Sequence, residues 1–528
     1  MSMTSLRKTL SIAATLVLAA AGAAHAQGPR SITVLQLNDV YRIDAVENGK
    51  AGGIGRVVTL ARQAASQAGG AVRVLHAGDA IAPSLESRYF AGLQMIDALN
   101  YLDGVAPLLF VPGNHEFDER RPAMVAGAIK ASRVPWLAGN VTMATGDSAA
   151  DRRVGRDTVI VDASGLRLGI FTLTFLDSPR DYARPDSAFV EDAERMIRGL
   201  ERRGADVIVG LTHLAHETDR EVSRLRRRHP KFAWIAGGHE HYRLSDPLTD
   251  STALITKGES NARGIWRVTL TGGRRATARA EAVAVAVDST IPVDPGYERQ
   301  VTQAWAARLR EKVPFMDMTI GRSEGLMDAS EATVRGAESA WGDWLADQMR
   351  TAFPTQPADA AVLNGGALRI DDTFGGTIRW EHLARTFGFP TRVALVSLRG
   401  TDVRGMLEHA VSGGQGEGRF LQVSGLRVRF DRSRAEGERI LDVQVQRGAA
   451  WAPLAADSVY TVAVPDYLFG GGDGYTFARN AVASVPPGPD LKLIAFDALA
   501  SLYARGEAIA PRVEGRLVDA TPPASRNP

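Results

Sequence analysis

Asp39, Asp79, Asn114, His115, His213, His239 and His241 are the side chains of this sequence best suited to hold a metal. Each closes a stretch that reads as a β-strand. Residues 33–38 run into Asp39, and 72–75 into Gly78-Asp79. The stretch 107–111 runs into Gly113-Asn114-His115-Glu116, 205–211 into Thr212-His213, and 232–236 into Gly237-Gly238-His239-Glu240-His241. Open α/β sheets gather their sites at the carboxyl ends of strands. Hard divalent cations near phosphate prefer oxygen and nitrogen donors, and a shared carboxylate bridges two of them. Asp79, after a glycine that permits a tight turn, suits the bridge. Asn114 offers an amide oxygen, which leaves His115 free for acid–base or electrostatic work. His239 and His241, two apart in an extended turn, can reach adjacent ions. Two ions about 3.5–4 Å apart generate a hydroxide at neutral pH and clamp an in-line displacement at phosphorus. Cysteine is absent, so no thiolate ligand, thiol nucleophile or disulfide is available.

The elements that must position these residues follow from pattern. Strand and helix signatures alternate from residue 31 to about 240, as in βαβ units feeding a central sheet; helices are predicted at 52–68, 92–102 and 191–203. Residues 254–287 read as strand and close the domain. Pro292, Pro295 and Gly296 then break the pattern, and 297–312 reads as a single helix joining two domains. A chain of 528 residues exceeds one hydrophobic core. A second α/β domain follows, with strands at 360–363, 392–398, 425–430 and 460–464, a helix at 338–351, and glycine-rich loops at 412–418 and 470–474. The expected division is a signal peptide at 1–26, a first domain at 27–290, a linker helix at 291–315, a second domain at 316–518 and a disordered tail at 519–528.

Hydrophobic residues make up 45% of the chain and charged residues 23%, as in soluble globular proteins. A formal charge of +2, from 62 basic and 60 acidic residues, gives no support for binding a nucleic-acid polymer or a membrane surface. Arg7 and Lys8, the apolar run 10–24 and Ala24-His25-Ala26 form an export signal cleaved after Ala26. The run is too short for a span, so no stable membrane insertion is expected after cleavage. A periplasmic or secreted destination follows.

The ordered set Asp39, Gly78-Asp79, Gly113-Asn114-His115-Glu116, His213 and Gly238-His239-Glu240-His241 resembles the motif series of calcineurin-type metallophosphoesterases. With Asn364-Gly365-Gly366-Ala367-Leu368-Arg369 and Gly471-Gly472-Asp473-Gly474-Tyr475 downstream, it is similar specifically to the secreted 5′-nucleotidase/UDP-sugar hydrolase family, over residues 31–518. The resemblance implies a four-layer β-sandwich flanked by helices, followed by a separate α/β nucleotide-binding domain. It also implies two divalent ions (zinc, manganese, magnesium or iron). One would take Asp39, Asp79 and His241, the other Asp79, Asn114, His213 and His239. His115, oriented by Asp118, would face the phosphate. Asn364 and Arg369 would contact sugar and phosphate, Phe420 and Tyr467 would sandwich a base, and Asp473 would hold the ribose. Rotation between the domains, with 297–312 at the hinge, belongs to the same implication.

The implied activity is release of phosphate from nucleoside 5′-monophosphates by attack of a metal-bound hydroxide. Nucleotide-sugar pyrophosphate cleavage, 2′,3′-cyclic nucleotide hydrolysis and the sulfur-ester hydrolysis of a sister group are the alternatives within enzymes. A nucleotide-binding protein with a degraded metal site is the alternative outside them. One position departs from the family: its first motif is Asp-x-His, and here Asp39-Val40-Tyr41 stands in that place. Tyr41 can pack beside the site while water fills the ligand position, ligate a more acidic ion such as ferric iron as phenolate, or mark decay.

Overall fold

The structure is a computed structural model that describes residues 30–67, 72–162, 165–176, 180–274 and 276–522. The expected signal peptide, Ala68 at the end of the first expected helix, and residues 523–528 lie outside these.

All five site-bearing stretches are strands: β1 (Arg30–Leu37), β2 (Val72–His76), β3 (Leu108–Phe110), β4 (Val207–His213) and β5 (Phe232–Gly237). They do not share one central sheet. β1, β2 and β3 run parallel in a seven-stranded sheet, and β4 and β5 run parallel in a six-stranded one. The physical reason lies in their composition. Near-continuous apolar runs such as those of β4 and β5 need cover on both faces. One cover is the opposite sheet: Ile32, Val34, Leu75 and Leu109 meet Val207, Val209, Leu211 and Trp234 in a shared core. The other cover is helical. Val57, Val58, Ile96 and Leu99, from Ile54–Gln67 and Leu93–Asp103, pack in the core outside the first sheet, and Ala193, Ile197 and Leu200 of Phe189–Arg202 pack outside the second. The result is helix, sheet, sheet, helix, with the carboxyl ends of β1 to β5 converging on one rim.

The connector is one continuous helical run, Pro295–Tyr297, Glu298–Gln303 and Ala304–Lys312, with a π-helical middle segment. Its Tyr297, Val301 and Trp305 belong to the first domain's core, and the Tyr297 hydroxyl donates to the Ile43 carbonyl at 2.8 Å. The helix is thus fixed to the first domain, and the chain crosses to the second beyond Lys312.

In the second domain a five-stranded sheet runs Leu421–Ser424, Ala360–Asn364, Val459–Pro465, Val393–Arg399, Ala483–Val485. Helix Ala340–Arg350 is capped by Ser339, whose hydroxyl accepts the Gly342 N–H at 3.3 Å. Strand Leu517–Asp519 pairs with Leu426–Phe430, the Ala520 N–H donates to the Phe430 carbonyl, and the Arg432 N–H donates to the Thr521 hydroxyl, both at 2.7 Å. The expected disordered tail is therefore held by backbone pairing as far as Ala520, and at Thr521 by its hydroxyl. Among the described residues no helix is long and apolar enough to cross a membrane.

Candidate metal centre

Backbone strain marks the rim before any side chain is considered. Asp39 (φ 54°), Asp79 (φ 58°) and His239 (φ 85°) all occupy the left-handed region, which is uncommon for residues other than glycine. Such conformations persist where the surroundings over-determine them, and they cluster at functional sites. Two glycines permit the crowding. A Cβ on Gly113 would stand 2.1 Å from Asp79 Oδ1, and one on Gly238 would stand 2.0 Å from the Ala77 carbonyl oxygen.

The loops are tied together by Glu116, fully buried, whose carboxylate accepts four backbone N–H groups. These are Asp79 (2.9 Å), Ala80 (2.7 Å), Ile81 (3.0 Å) and Gly113 (2.5 Å). The loop after β2 is thereby clamped to the loop after β3. Lys257, also fully buried, does the same beneath the loop after β5. Its ammonium donates to the carbonyls of Leu214 (2.6 Å) and Gly238 (3.0 Å) and pairs with Asp219 and Glu240.

Asp39, Asp79 and His213 bring donor atoms within 4.8 Å of one another, all buried. Two overlapping sets surround that triad. In the first, His241 Nε2 stands 3.3 Å from Asp39 Oδ1, and the Tyr41 hydroxyl lies 3.2 Å from Asp39 Oδ1, 3.2 Å from Asp79 Oδ2 and 3.0 Å from His241 Nε2. In the second, His213 Nε2 stands 3.3 Å from Asp79 Oδ2 and 3.0 Å from Asn114 Oδ1. The His239 ring meets that of His213 edge-on at 5.5 Å. Asp79 Oδ2 belongs to both sets. A tetrahedron with bonds of about 2.0–2.2 Å has edges of about 3.3–3.6 Å, close to the separations among the donors of Asp39, Asp79, His213 and His241, so this cluster is a candidate metal site. Tyr41 does not pack beside the site. Its oxygen stands among the donors.

Protonation in the metal-free protein tells the same story. Burial disfavours charge on Asp79, yet His213 and His115 hold its carboxyl well below the usual range. Burial likewise opposes a charge on His213, but Asp79 and Asp39 lift it to about 10. Burial, His213 and Lys257 push His239 down to about 3, so that imidazole is neutral and ready to ligate. Ligation by His213 would instead require the loss of its proton. His76 lies outside this arrangement. It is fully buried, packs on Phe110 at 5.3 Å, and is driven to about 4 by burial. His216 pairs with Asp246 at 3.4 Å instead of reaching the cluster.

His115 and Asp118 form the expected pair, Nδ1 to Oδ2 at 2.6 Å. Across the domain boundary Arg369 lays its guanidinium over the Tyr41 ring (5.2 Å) and the Phe389 ring (5.5 Å) and brings Nη2 to 3.4 Å from His115 Nε2. Among the described residues its buried Nη1 has no hydrogen-bond partner. Asn364, Tyr467 and Asp473 gather around one carboxylate: Asn364 Nδ2 donates to Asp473 Oδ2 at 2.9 Å and the Tyr467 hydroxyl to Asp473 Oδ1 at 3.0 Å. Tyr467 is half exposed. Phe420 is a correction. It is 1% exposed, packs on Phe430 and lies under Arg432, so it belongs to the core and offers no face to a base. Two other aromatics stand beside the site: Phe175, whose ring meets those of His239 (4.7 Å) and His213 (6.2 Å), and Phe389, whose ring stands 5.6 Å from that of His115. The sequence signal of Phe389 was an aromatic between Gly388 and Pro390.

Residues 32–243 match the calcineurin-like phosphoesterase family, and residues 319–479 match the 5′-nucleotidase C-terminal domain. The chain belongs to the calcineurin-like phosphoesterases that carry a 5′-nucleotidase C-terminal domain. It is a metal-dependent phosphoester hydrolase. Human 5′-nucleotidase is 24% identical over 541 residues, spanning 93% of this chain and 91% of that protein. Two solved structures share the fold, both from Thermus thermophilus. Its 5′-nucleotidase precursor aligns with a TM-score of 0.75 at 24% identity, over 94% of this chain and all of that one. Its sulfate thiohydrolase SoxB aligns at 0.69 and 18% identity, over 93% and 97%.

Glu116 sets the geometry of this phosphoesterase through neutral backbone donors. Glu116→Gln turns an amide NH₂ toward N–H groups that need an acceptor, at about 1–3 kcal/mol for each donor left unsatisfied. Chemical denaturation is expected to show the first domain's transition at lower denaturant, with the second domain's unchanged.

Proposed function

We propose that this phosphoesterase hydrolyses nucleoside 5′-monophosphates at a dinuclear centre. The observation that carries the reading is the pairing of Arg369 with His115. Burial opposes a charge on His115, but Asp79 and Asp118 raise it to about 9, so at neutral pH it is an imidazolium. A guanidinium nitrogen 3.4 Å from that ring, with a neighbouring buried N–H lacking a hydrogen-bond partner among the described residues, is a pair of cations awaiting an anion. A phosphoryl group between them and an ion held by the donors would satisfy both cations. Phe389 alongside offers an aromatic wall for a base, and Asp473, with Asn364 and Tyr467, offers acceptors to vicinal hydroxyls.

One ion would be held by Asp39, Asp79, His241 and the Tyr41 oxygen, the other by Asp79, Asn114, His213 and His239. When bound, such a pair supplies Lewis acidity for activating water and for clamping phosphoryl oxygens. In the metal-free protein, burial together with Asp79 and Asp39 pushes the Tyr41 hydroxyl well above its usual range, so it donates to a carboxylate. A cation at the centre reverses the sign of that field. Arg369 orients the phosphoryl group, and His115 gives its proton to the departing nucleoside oxygen while Asp118 holds the ring and stabilises its charge. The motif at residues 7–26 supports export of the enzyme.

The reading is tested by measuring phosphate release from nucleoside 5′-monophosphates, nucleotide sugars, 2′,3′-cyclic nucleotides and sulfate thioesters, with zinc, manganese, magnesium or iron, in the wild type and in Tyr41→His. Highest kcat/KM on 5′-monophosphates, with a decline in Tyr41→His, is expected. A near-inactive wild type rescued by Tyr41→His identifies a decayed site and overturns the reading. The His115 proton makes a separate prediction. A raised pKa means the acid form is complete below the usual range and is lost as pH rises toward 9. Asp118→Asn removes one cause of the elevation, so the alkaline limb of kcat moves to lower pH. His115→Ala lowers kcat by about 10²–10⁴-fold.

A further inference from the structure

His241 contributes Nε2 to the first donor set, and its other nitrogen faces a carboxylate from the opposite domain. Nδ1 hydrogen-bonds Glu331, which opens the short helix Glu331–Val334 immediately after strand Thr319–Ala329 of the second domain. Nothing about position 331 in the sequence points to the metal centre, 90 residues away along the chain. Both residues are buried, His241 at 8% and Glu331 at 6% exposure. The Glu331 carboxylate is also paired with two guanidinium groups, Arg335 at 2.8 Å and Arg263 at 2.9 Å. An ionised acceptor at Nδ1 places the ring proton there and leaves the Nε2 lone pair directed at Asp39 and Tyr41, as ligation requires.

A second set of bonds reaches the same donors from the same side. Glu331 also accepts the Ser260 hydroxyl, and its N–H donates to Asp371 Oδ1 at 2.8 Å. Asp371 in turn pairs with Arg263 and accepts from Asn261 Nδ2 at 2.7 Å. Residues 260–261 touch the donor loops through backbone. The Ser260 N–H donates to the His241 carbonyl at 3.1 Å and the Asn261 N–H to the Asp39 carbonyl at 2.8 Å, while Asn261 Oδ1 accepts the Tyr41 N–H at 3.1 Å. Asp39, Tyr41 and His241 are all braced this way. Corresponding partners on the second set, the Ala77 carbonyl at His213 Nδ1 (2.7 Å) and Glu116 beneath Asp79, come from the first domain.

We infer that Glu331 of the second domain is a positioning residue for the first metal, fixing the tautomer and orientation of His241, so that one ion of the pair depends on the docked second domain and the other does not. The inference rests on the dinuclear reading above.

The test uses the full chain loaded with zinc and titrated with a chelator, with metal content and circular dichroism followed together. Wild type is expected to release two zinc ions. Glu331→Ala is expected to hold one of them about 10–100-fold more weakly, the usual effect of removing a hydrogen-bond partner from a ligating histidine. The other ion should be unchanged. Glu331→Gln retains the shape and an acceptor oxygen, so it should recover part of the loss, which a merely structural disturbance would not. Asp372→Asn is the control. It breaks the interdomain ion pair with Arg42 (2.8 Å) without touching His241, and should retain both ions. Wild-type retention in Glu331→Ala and Glu331→Gln overturns the inference, as does equal loss in Asp372→Asn. A wild type that holds one zinc refutes the dinuclear reading by itself, whereas Glu331 is judged on the difference between variant and wild type.

Discussion

Asp79 is a carboxylate with almost no solvent access, shared by two clusters of donors and within reach of a second buried carboxylate, Asp39. Burying one such charge is costly unless it is paired, and two adjacent ones repel. The rim is organised around that constraint. Four backbone N–H groups converge on Glu116 to fix the turn that presents Asp79, three residues adopt left-handed backbone, and glycines stand where any side chain would collide. Protonated His213 and His115 supply counter-charge in the metal-free protein. A bound metal cation would do so more completely, which is why the arrangement makes sense as a metal site and would be an expensive core.

Much of this was legible in the sequence because strand ends are local. A run of β-branched and apolar residues closing on Gly-Asp or Gly-Asn-His carries its own geometry. His115 and Asp118, three apart, needed only one tight turn to meet. What sequence reading missed came from distant chain segments. Lys257, Glu331 and Phe389 reach the site only because sheets and domains bring them there; Lys257 and Glu331 stand in no pattern that announces it, and Phe389 is marked only by the Gly388 and Pro390 that flank it. Phe420 failed for a related reason. An aromatic beside a glycine-rich loop reads equally as a platform or as core, and its contact with Phe430 decided for the core. The expectation of one central sheet failed because alternation of strand and helix does not show which face of a strand meets a helix and which meets another sheet.

The second domain reaches the donor loops directly. Arg369 covers Tyr41 and meets His115, and Glu331 hydrogen-bonds His241, so the donor loops lie in a polar junction between the two domains. Tyr41 stands at its centre, in contact with Asp39, Asp79 and His241 and beneath a guanidinium. A phenol is longer than an imidazole, and its hydroxyl reaches the donor cluster while its ring makes the platform on which Arg369 rests. The departure from Asp-x-His therefore leaves an oxygen atom among the donor residues.

The central claim is that Asp79 is shared by two ions. X-ray absorption spectroscopy at the zinc edge of the loaded protein addresses it directly. The account predicts two equivalents of zinc, a first shell of oxygen and nitrogen donors at about 2.0–2.2 Å, and a zinc–zinc vector at about 3.5–4 Å. A first shell with no metal–metal vector, or a single equivalent of bound zinc, would contradict it.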